Sequence, residues 1–401
     1  MPPGGPPRGP ILIGFADAWP GPEVAWSLLD AGYRVACFSR AGSRPALRWS
    51  RRVTPSPVTP PEEDVERCAT EVLRLVETTG ASAVVPIDDA ALWLLGELRS
   101  RLPALSAGLD SVRVEFALDK RLQIERAREA GLAVPSTQVI DSLEDLAELD
   151  SFPIVLKGGR AIERDGRRLI RRRTTVAADR AELRAARNDP ALVPPLIVQP
   201  FIRGTGEGLF GLAAAPDDTA SWSSHRRVRM VDPQGSGSSA CVSTPVDPVL
   251  VGAAERFLSS AGWKGLFMLE FLRDAAGQAW FIEMNGRAWG SLALARRLGF
   301  EYPAWAVHQA FDPSYRPPSV SLDAGVLCRN LGFELIHLAR VVRGPRSKAL
   351  VDWPSRSKTA RAVLRVRRGD RWYNWSRNDP VVFVADAFQS VWGWLCAARS
   401  T

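Results

Sequence analysis

Glu283, Asn285 and Arg287 stand at alternate positions in FIEMNGRAWGS (281–291), a stretch that begins as an apolar run. In an extended strand alternate side chains share one face, so a carboxylate, an amide and a guanidinium project together beside the core. A buried carboxylate without a partner is costly, and the candidates for a positive partner are Arg287 and a metal ion. Glu270, in FMLEF, precedes Glu283 by thirteen residues, and Ala-Ala-Gly between the two strands predicts a hairpin. That hairpin makes the two glutamates cross-strand neighbours. Two carboxylates and an amide converging on one spot suit Mg²⁺ held jointly with the phosphates of a nucleotide. Lys157 ends the apolar strand FPIVLKG. A lysine there is commonly a snorkelling surface residue, but beside an oxygen-only metal site it becomes a phosphate ligand.

The elements that must position these groups follow from the patterning. Residues 11–39 read strand (ILIGFAD), helix (PGPEVAWSLLDAG), strand (YRVACFS), and a helix–strand–helix unit follows in VERCATEVLRLVETTG, AVVPID and DAALWLLGELRSRL. Strands alternating with helices imply a parallel α/β sheet. The first turn, GFADAWPGPE, lacks the GxGxxG cradle of dinucleotide folds, which argues against NAD. Asp88 and Asp89 fall at the carboxyl edge of this sheet, where such folds bind ligands; of the two, Asp89 is the expected helix cap. From 111 onward helices mix with hairpin strands, an α+β pattern. A helix is expected in LDKRLQIERAREAG, another around SLEDLAEL, and a Gly/Ser loop in DPQGSGSSA. The expected division is a disordered 1–10, a Rossmann-like α/β domain over 11–110, a two-lobed domain over 111–190 and 191–311, and a C-terminal extension over 312–401.

Composition narrows the class. A chain of 401 residues exceeds what one core organises, and 46% hydrophobic with 24% charged residues is an ordinary soluble composition. No apolar run approaches a membrane span of ~20 residues, and the Pro/Gly-rich start does not read as a signal peptide. Five scattered cysteines without CxxC suit reduced thiols in a cytoplasm, and three distant histidines argue against a His-based metal site. The net charge of +8 favours anionic partners in general. Its densest stretch, Lys157 to Arg173, carries eight basic residues. No aromatic interleaving accompanies it, and a flexible cationic lid over a polyphosphate explains it as well as nucleic-acid binding does. The apolar segment VVFVADAFQSVWGWLCAA reads as a helix packed on the body, with a dimer contact or a membrane-surface anchor as alternatives.

In order along residues 11–310, the pieces LDK, AGLAVPST, FPIVLKG, IVQPFIRGTGEG, MLEF and FIEMNGRAWGSL resemble the ATP-grasp superfamily of ligases. Within it, HRRVRMVDPQGSGSS (225–239) is similar to a segment of poorly characterised carboxylate–amine ligases. The resemblance implies that Glu270 and Glu283 are Mg²⁺ carboxylates and Asn285 a ligand of a second ion, with Mn²⁺ able to substitute. It implies that Arg287 holds the transferred phosphoryl group and that Lys120 and Lys157 bind ATP phosphates. Backbone groups near Gln199 and Phe201 would read the purine, Ile202 would pack on it, and Glu207 would meet the ribose. His225, Arg226, Arg227 and Arg229 are candidates for an anionic substrate, as is Asp88 for the substrate side. Two departures stand out: Pro200 replaces a common glutamate, and the lid after Lys157 is arginine-rich where relatives carry a Gly-rich loop. The implied reaction is ATP-dependent activation of a carboxylate as an acyl phosphate, followed by attack of an amine. Alternatives are carboxy transfer from bicarbonate or another small acid, and a module that only binds nucleotide. The expected partners are small molecules, with a homodimer possible and no nucleic acid.

Overall fold

A computed structural model of the chain describes residues 9–106, 111–189, 191–213, 221–345, 347 and 353–397. The disorder expected at the N-terminus falls largely on residues 1–8, outside the described residues.

The first domain runs β1 (Ile11–Gly14), α1 (Gly21–Asp30), β2 (Val35–Arg40), a 3₁₀ turn (Ala46–Trp49), β3 (Pro55–Val58), α2 (Val65–Thr79), β4 (Ala83–Pro86), α3 (Asp89–Leu98) and β5 (Leu105–Ser106). All pairings are parallel, in the order β3-β2-β1-β4-β5. β1 and β4 are buried throughout, as parallel strands covered on both faces must be.

The second unit has α4 (Ser111–Leu118), α5 (Lys120–Glu129), β6 (Gln138–Ile140), β7 (Ile154–Gly158), β8 (Ile162–Asp165), β9 (Arg168–Arg171), β10 (Thr174–Ala177), α6 (Arg180–Arg187) and β11 (Leu196–Pro200). The four-stranded sheet β10-β7-β11-β6 is antiparallel and has its own small core around Leu156, Leu183 and Val198. Two expectations change here. The LDK segment does not lie within one helix: Asp119 takes an extended conformation and caps α5, accepting from the amides of Arg121 and Leu122. SLEDLAEL forms only a 3₁₀ turn at Asp145–Glu148, where Leu146 is the one buried side chain and no second apolar ridge supports a longer helix.

The third unit is β12 (Thr205–Ala213), β13 (Ser223–Asp232), β14 (Ser236–Ser243), α7 (Pro248–Ser260), β15 (Gly265–Arg273), β16 (Ala279–Asn285), α8 (Leu292–Arg297) and α9 (Tyr302–Phe311). β17 (Leu327–Arg329), α10 (Leu331–Arg343), α11 (Arg356–Leu364), β18 (Arg371–Trp372) and α12 (Pro380–Ala397) follow. The seven-stranded sheet β16-β15-β12-β13-β14-β17-β18 takes in two strands of the region expected as an appendage. The expected Gly/Ser loop is mostly strand: a turn at 232–235 leads into β14, where Ser239, Ala240 and Cys241 are fully buried. One apolar cluster joins Ile11 and Ile13 to Phe210, Met268, Trp289 and Trp305, so the parallel sheet and the large sheet share a core. The four-stranded sheet does not join that cluster, and a cavity lies between the two sheets.

Candidate active site

The hairpin β15–β16 sets the register predicted for it, with Glu270 directly opposite Glu283 and a bulge immediately after Glu270. Asn285 donates to Glu270 across the strands at 3.2 Å, so three oxygen-bearing side chains meet on one face. The positive partner of Glu283 is neither of the two expected candidates. Lys120 Nζ reaches its carboxylate at 2.7 Å from the first turn of α5. Gln123, one turn further along, clamps that helix to β16, accepting from the Met284 amide at 2.8 Å and donating to its carbonyl at 3.2 Å. Glu270 in turn pairs with Arg227 of β13. The glycines of GTGEG make that reach possible: a Cβ on Gly206 would lie 2.6 Å from Cδ of Arg227.

Lys157 projects from β7 on the facing sheet, buried, with Nζ donating to Gln199 Oε1 at 3.1 Å; Gln199 donates onward to Thr137 at 2.9 Å. Burial, reinforced by the charge of Lys120, pulls the Lys157 ammonium down to about 8. Burial also works against the charge of Lys120, but Glu283 outweighs it and raises that ammonium. The Glu283 carboxyl is held well below the usual range, first by Lys120 and against burial.

Arg287 ends the row, and its partner is Asp89, not Glu283. Nε donates to Asp89 Oδ1 at 2.8 Å and Nη1 to the Ala288 carbonyl at 2.9 Å. The cap of α3 is therefore Asp88, which accepts from the Ala91 amide at 2.7 Å, whereas Asp89 takes the ion pair. Burial opposes the Asp89 charge, but Arg287 overrides it and the carboxyl stays below its ordinary value. Asp88 also receives Arg40 at 2.8 Å, and Arg40 is shared with Asp17 and Glu62.

These groups line one cavity of about 1510 Å³, together with Phe201 and Ile202 beyond β11. Glu207 does not line it: on β12 it lies opposite Phe271, one residue out of phase with Glu270, and its carboxylate is held by Arg273 at 2.9 Å. The arginine cluster of β13 is not one patch. Arg226 is exposed, Arg229 lines the cavity but forks onto buried Glu334 at 2.6 and 2.7 Å, and His225 is buried with neither ring nitrogen hydrogen-bonded. The expected flexible lid is a docked hairpin, β8–β9. Arg164 pairs with Glu66, Arg167 with Asp64, and Ile162 and Leu169 are buried in the core. Arg171 of this hairpin reaches Asp89 at 3.4 Å. Trp19 of the first domain, and His337, Ser355, Lys358 and Thr359 of the C-terminal region, also line the cavity. No spacing in the sequence pointed to them.

The oxygen set fits a divalent cation of the Mg²⁺ type. Glu270 and Glu283 face each other, Asn285 completes the trio, and the charges now balancing them come from Arg227 and Lys120. No group of three or more His, Cys, Asp or Glu side chains placed to hold a metal ion occurs among the described residues, so an ion held by the two glutamates would also need Asn285 and oxygens from a ligand or water.

The depressed Lys157 gives a pH signature. Its charge in the free protein is lost as pH rises through about 8, and a bound phosphate favours the charged form. Affinity of this site for a phosphate-bearing ligand is therefore expected to fall above pH 8 by up to about tenfold per pH unit, with uptake of one proton. Titration calorimetry in buffers of different ionisation enthalpy reads that proton. Lys157→Arg should flatten the profile, and an unchanged profile would assign the titration to another group.

No family model matches the chain, and no characterised protein matches it by sequence. Its fold does have solved counterparts. An L-amino acid ligase from Bacillus licheniformis superposes with a TM-score of 0.60 at 17% identity, over 78% of each chain. The ADP complex of an N5-carboxyaminoimidazole ribonucleotide synthetase gives 0.62 at 14% identity, over 89% of this chain and 97% of that one. A biotin carboxylase from Campylobacter jejuni, in complex with a β,γ-ATP ligand, gives 0.62 at 14%, over 79% and 74%. The chain has the fold these structures share, which is the ATP-grasp fold its motifs resemble.

Proposed function

We propose that the protein is an ATP-dependent ligase that activates a carboxylate as an acyl phosphate and passes the acyl group to an amine. The observation that carries this reading is the facing arrangement in a single cavity. Glu270, Glu283 and Asn285 stand on one sheet, Lys157 and Gln199 on the other, with Lys120 and Arg287 beside them. The solved structures that share the fold include proteins bound to ATP-type ligands, and one is an L-amino acid ligase.

A carboxylate approaching a γ-phosphate brings two anions together, so the chemistry needs positive charge already in place. Lys157, with only a neutral amide for a partner, is the group best placed to take a phosphate. Lys120 bridges toward Glu283, and Arg287 presents guanidinium N–H groups that Asp89 and Ala288 leave uncommitted. Glu270, Glu283 and Asn285 would hold Mg²⁺, two ions in this reading with Mn²⁺ able to replace them, and the ions supply charge neutralisation on the phosphates. Phe201, Ile202 and the β11 edge would receive the adenine. Pro200 has no amide proton but keeps its carbonyl, so the backbone still has an acceptor there. In the first step a substrate oxygen bonds to the γ-phosphorus, the bridging P–O bond breaks, and ADP leaves. In the second the amine attacks the acyl carbon, phosphate leaves, and the nitrogen loses a proton. The docked β8–β9 hairpin keeps water from the intermediate.

The cavity is large for one nucleotide, since sites of ~300–1,000 Å³ already hold drug-sized ligands. That space supports a sizeable organic acid and amine over bicarbonate, with Arg227 and Arg229 nearest the acid. Both substrates are small molecules met in the cytoplasm.

Hydroxylamine supplied with ATP, Mg²⁺ and pooled carboxylic acids should trap a hydroxamate with no amine present, accompanied by ADP and phosphate. Release of AMP and pyrophosphate would replace this mechanism with adenylation.

A further inference from the structure

Helix α12 carries its polar and apolar residues in an unusual order. Its inward side holds Asp386, which accepts from Asn330 at 3.2 Å. Its outward side holds Val381, Val384, Phe388, Trp392 and Leu395, each between 38% and 65% exposed. Spacings of three, four, four and three residues align them as one stripe. The neighbours of α12 are filled on its other sides. Val382 packs with Trp26 and Ala46, Val391 and Trp394 pack with Phe333 and Ile336, and Phe383 meets Trp375 edge-on at 5.6 Å. Nothing in the chain covers the outward stripe among the described residues.

Exposed arginines form a rim on the segments that pack against α12. Arg48 stands beside exposed Trp49 on the turn that packs against α12, and Arg343 lies over the Trp394 ring at 4.4 Å. Arg371 and Arg377 flank half-exposed Trp375. All four are exposed, and none has a carboxylate within ion-pair distance among the described residues. The net charge of the whole chain falls in the C-terminal part that carries α12. Residues 1–311 hold 37 Lys and Arg against 37 Asp and Glu, whereas 312–401 hold 15 against 7, so the entire +8 lies in the last part.

We propose that this face binds the surface of an anionic lipid bilayer, with α12 lying in the interfacial plane. The apolar stripe would enter the boundary of the acyl chains, the rim arginines would meet lipid phosphates, and Trp49, Trp375 and Trp392 would sit at headgroup depth. Apolar area and basic charge act together in such binding, neither being sufficient alone, and tryptophan favours that depth. No helix among the described residues is long and apolar enough to cross a membrane, so the helix rests on the bilayer. A second copy of the chain is disfavoured as the occupant, because a two-fold contact here would bring the arginine rims against each other. The charge of the rim selects a negative surface.

Flotation of the full chain with vesicles tests this. Phosphatidylcholine vesicles containing roughly a third phosphatidylglycerol should carry the protein at low salt, and pure phosphatidylcholine should not. The double variant F388E/W392E and the double variant R371E/R377E should each lower the bound fraction about tenfold or more. Both should keep the parent melting temperature, since the altered side chains are exposed. The proposal is overturned if anionic vesicles fail to carry the parent protein, or if neither double variant weakens the binding. A dimer in light scattering that F388E/W392E dissociates, without vesicle binding by the parent, would assign the face to a second copy instead.

Discussion

Glu283→Gln is expected to lower ATP-dependent phosphate release by roughly 10²–10³-fold, the range in which losing a charged group at a phosphoryl-transfer centre is felt. The substitution keeps the shape of the side chain and removes its charge. Lys120, 2.7 Å away, then faces an amide, and with Lys157 and Arg227 nearby the site is left with excess positive charge. A divalent cation binds such a site poorly, so the Mg²⁺ concentration giving half-maximal nucleotide binding should rise together with the loss of turnover. Glu270→Gln should act in the same direction, and there Arg227 loses its partner. Both variants should still fold, because the hairpin register and the Gln123 clamp on Met284 are untouched. Near-normal phosphate release by both at saturating Mg²⁺ would remove the metal assignment.

Arg287→Lys is expected to bind nucleotide nearly as well as the parent while losing about 10²-fold or more in turnover. The guanidinium spends Nε on Asp89 and Nη1 on the Ala288 carbonyl, so its fork is aimed before any substrate arrives. Lysine can keep the charge pair with Asp89 but offers no second, oriented donor. A residue serving only the Asp89 pair would lose melting temperature and keep its rate, so the two measurements on one variant separate the roles. Unchanged turnover with a lower melting temperature would make Arg287 structural.

The constellation at the hairpin was legible because it depends on local geometry. Strand alternation places 283, 285 and 287 on one face, and a short turn brings Glu270 opposite Glu283. The partners were not legible. Lys120 and Glu283 are 163 residues apart and Asp89 and Arg287 are 198 apart, and only packing of separate units brings each pair together. The exchange of roles between Asp88 and Asp89 has a backbone cause. Asp88 takes the extended conformation of a cap while Asp89 begins the helix, a one-residue distinction that composition does not carry. Glu207 was placed by motif position, but the strand alternation that located Glu283 also turns Glu207 away from the cavity. The continuous apolar runs of β1, β4 and β15 gave the sheets, whereas β14 was hidden because small serines and glycines read as loop until neighbours bury them.

The docked β8–β9 hairpin also sets a clock. Its arginine pairs with Glu66 and Asp64 are largely exposed and contribute about 0–1 kcal/mol each. Ile162 and Leu169 are each 1% exposed, and uncovering two such side chains costs about 3–6 kcal/mol. Undocking also gives up the bonds from the Val65 amide to the Arg167 carbonyl at 2.8 Å and from the Leu169 amide to the Pro61 carbonyl at 2.9 Å, so the undocked hairpin is populated in fewer than about one molecule in 10². If nucleotide exchange requires that state, its rarity slows the start of each cycle, and two aliphatic side chains that touch no substrate carry a large share of that cost.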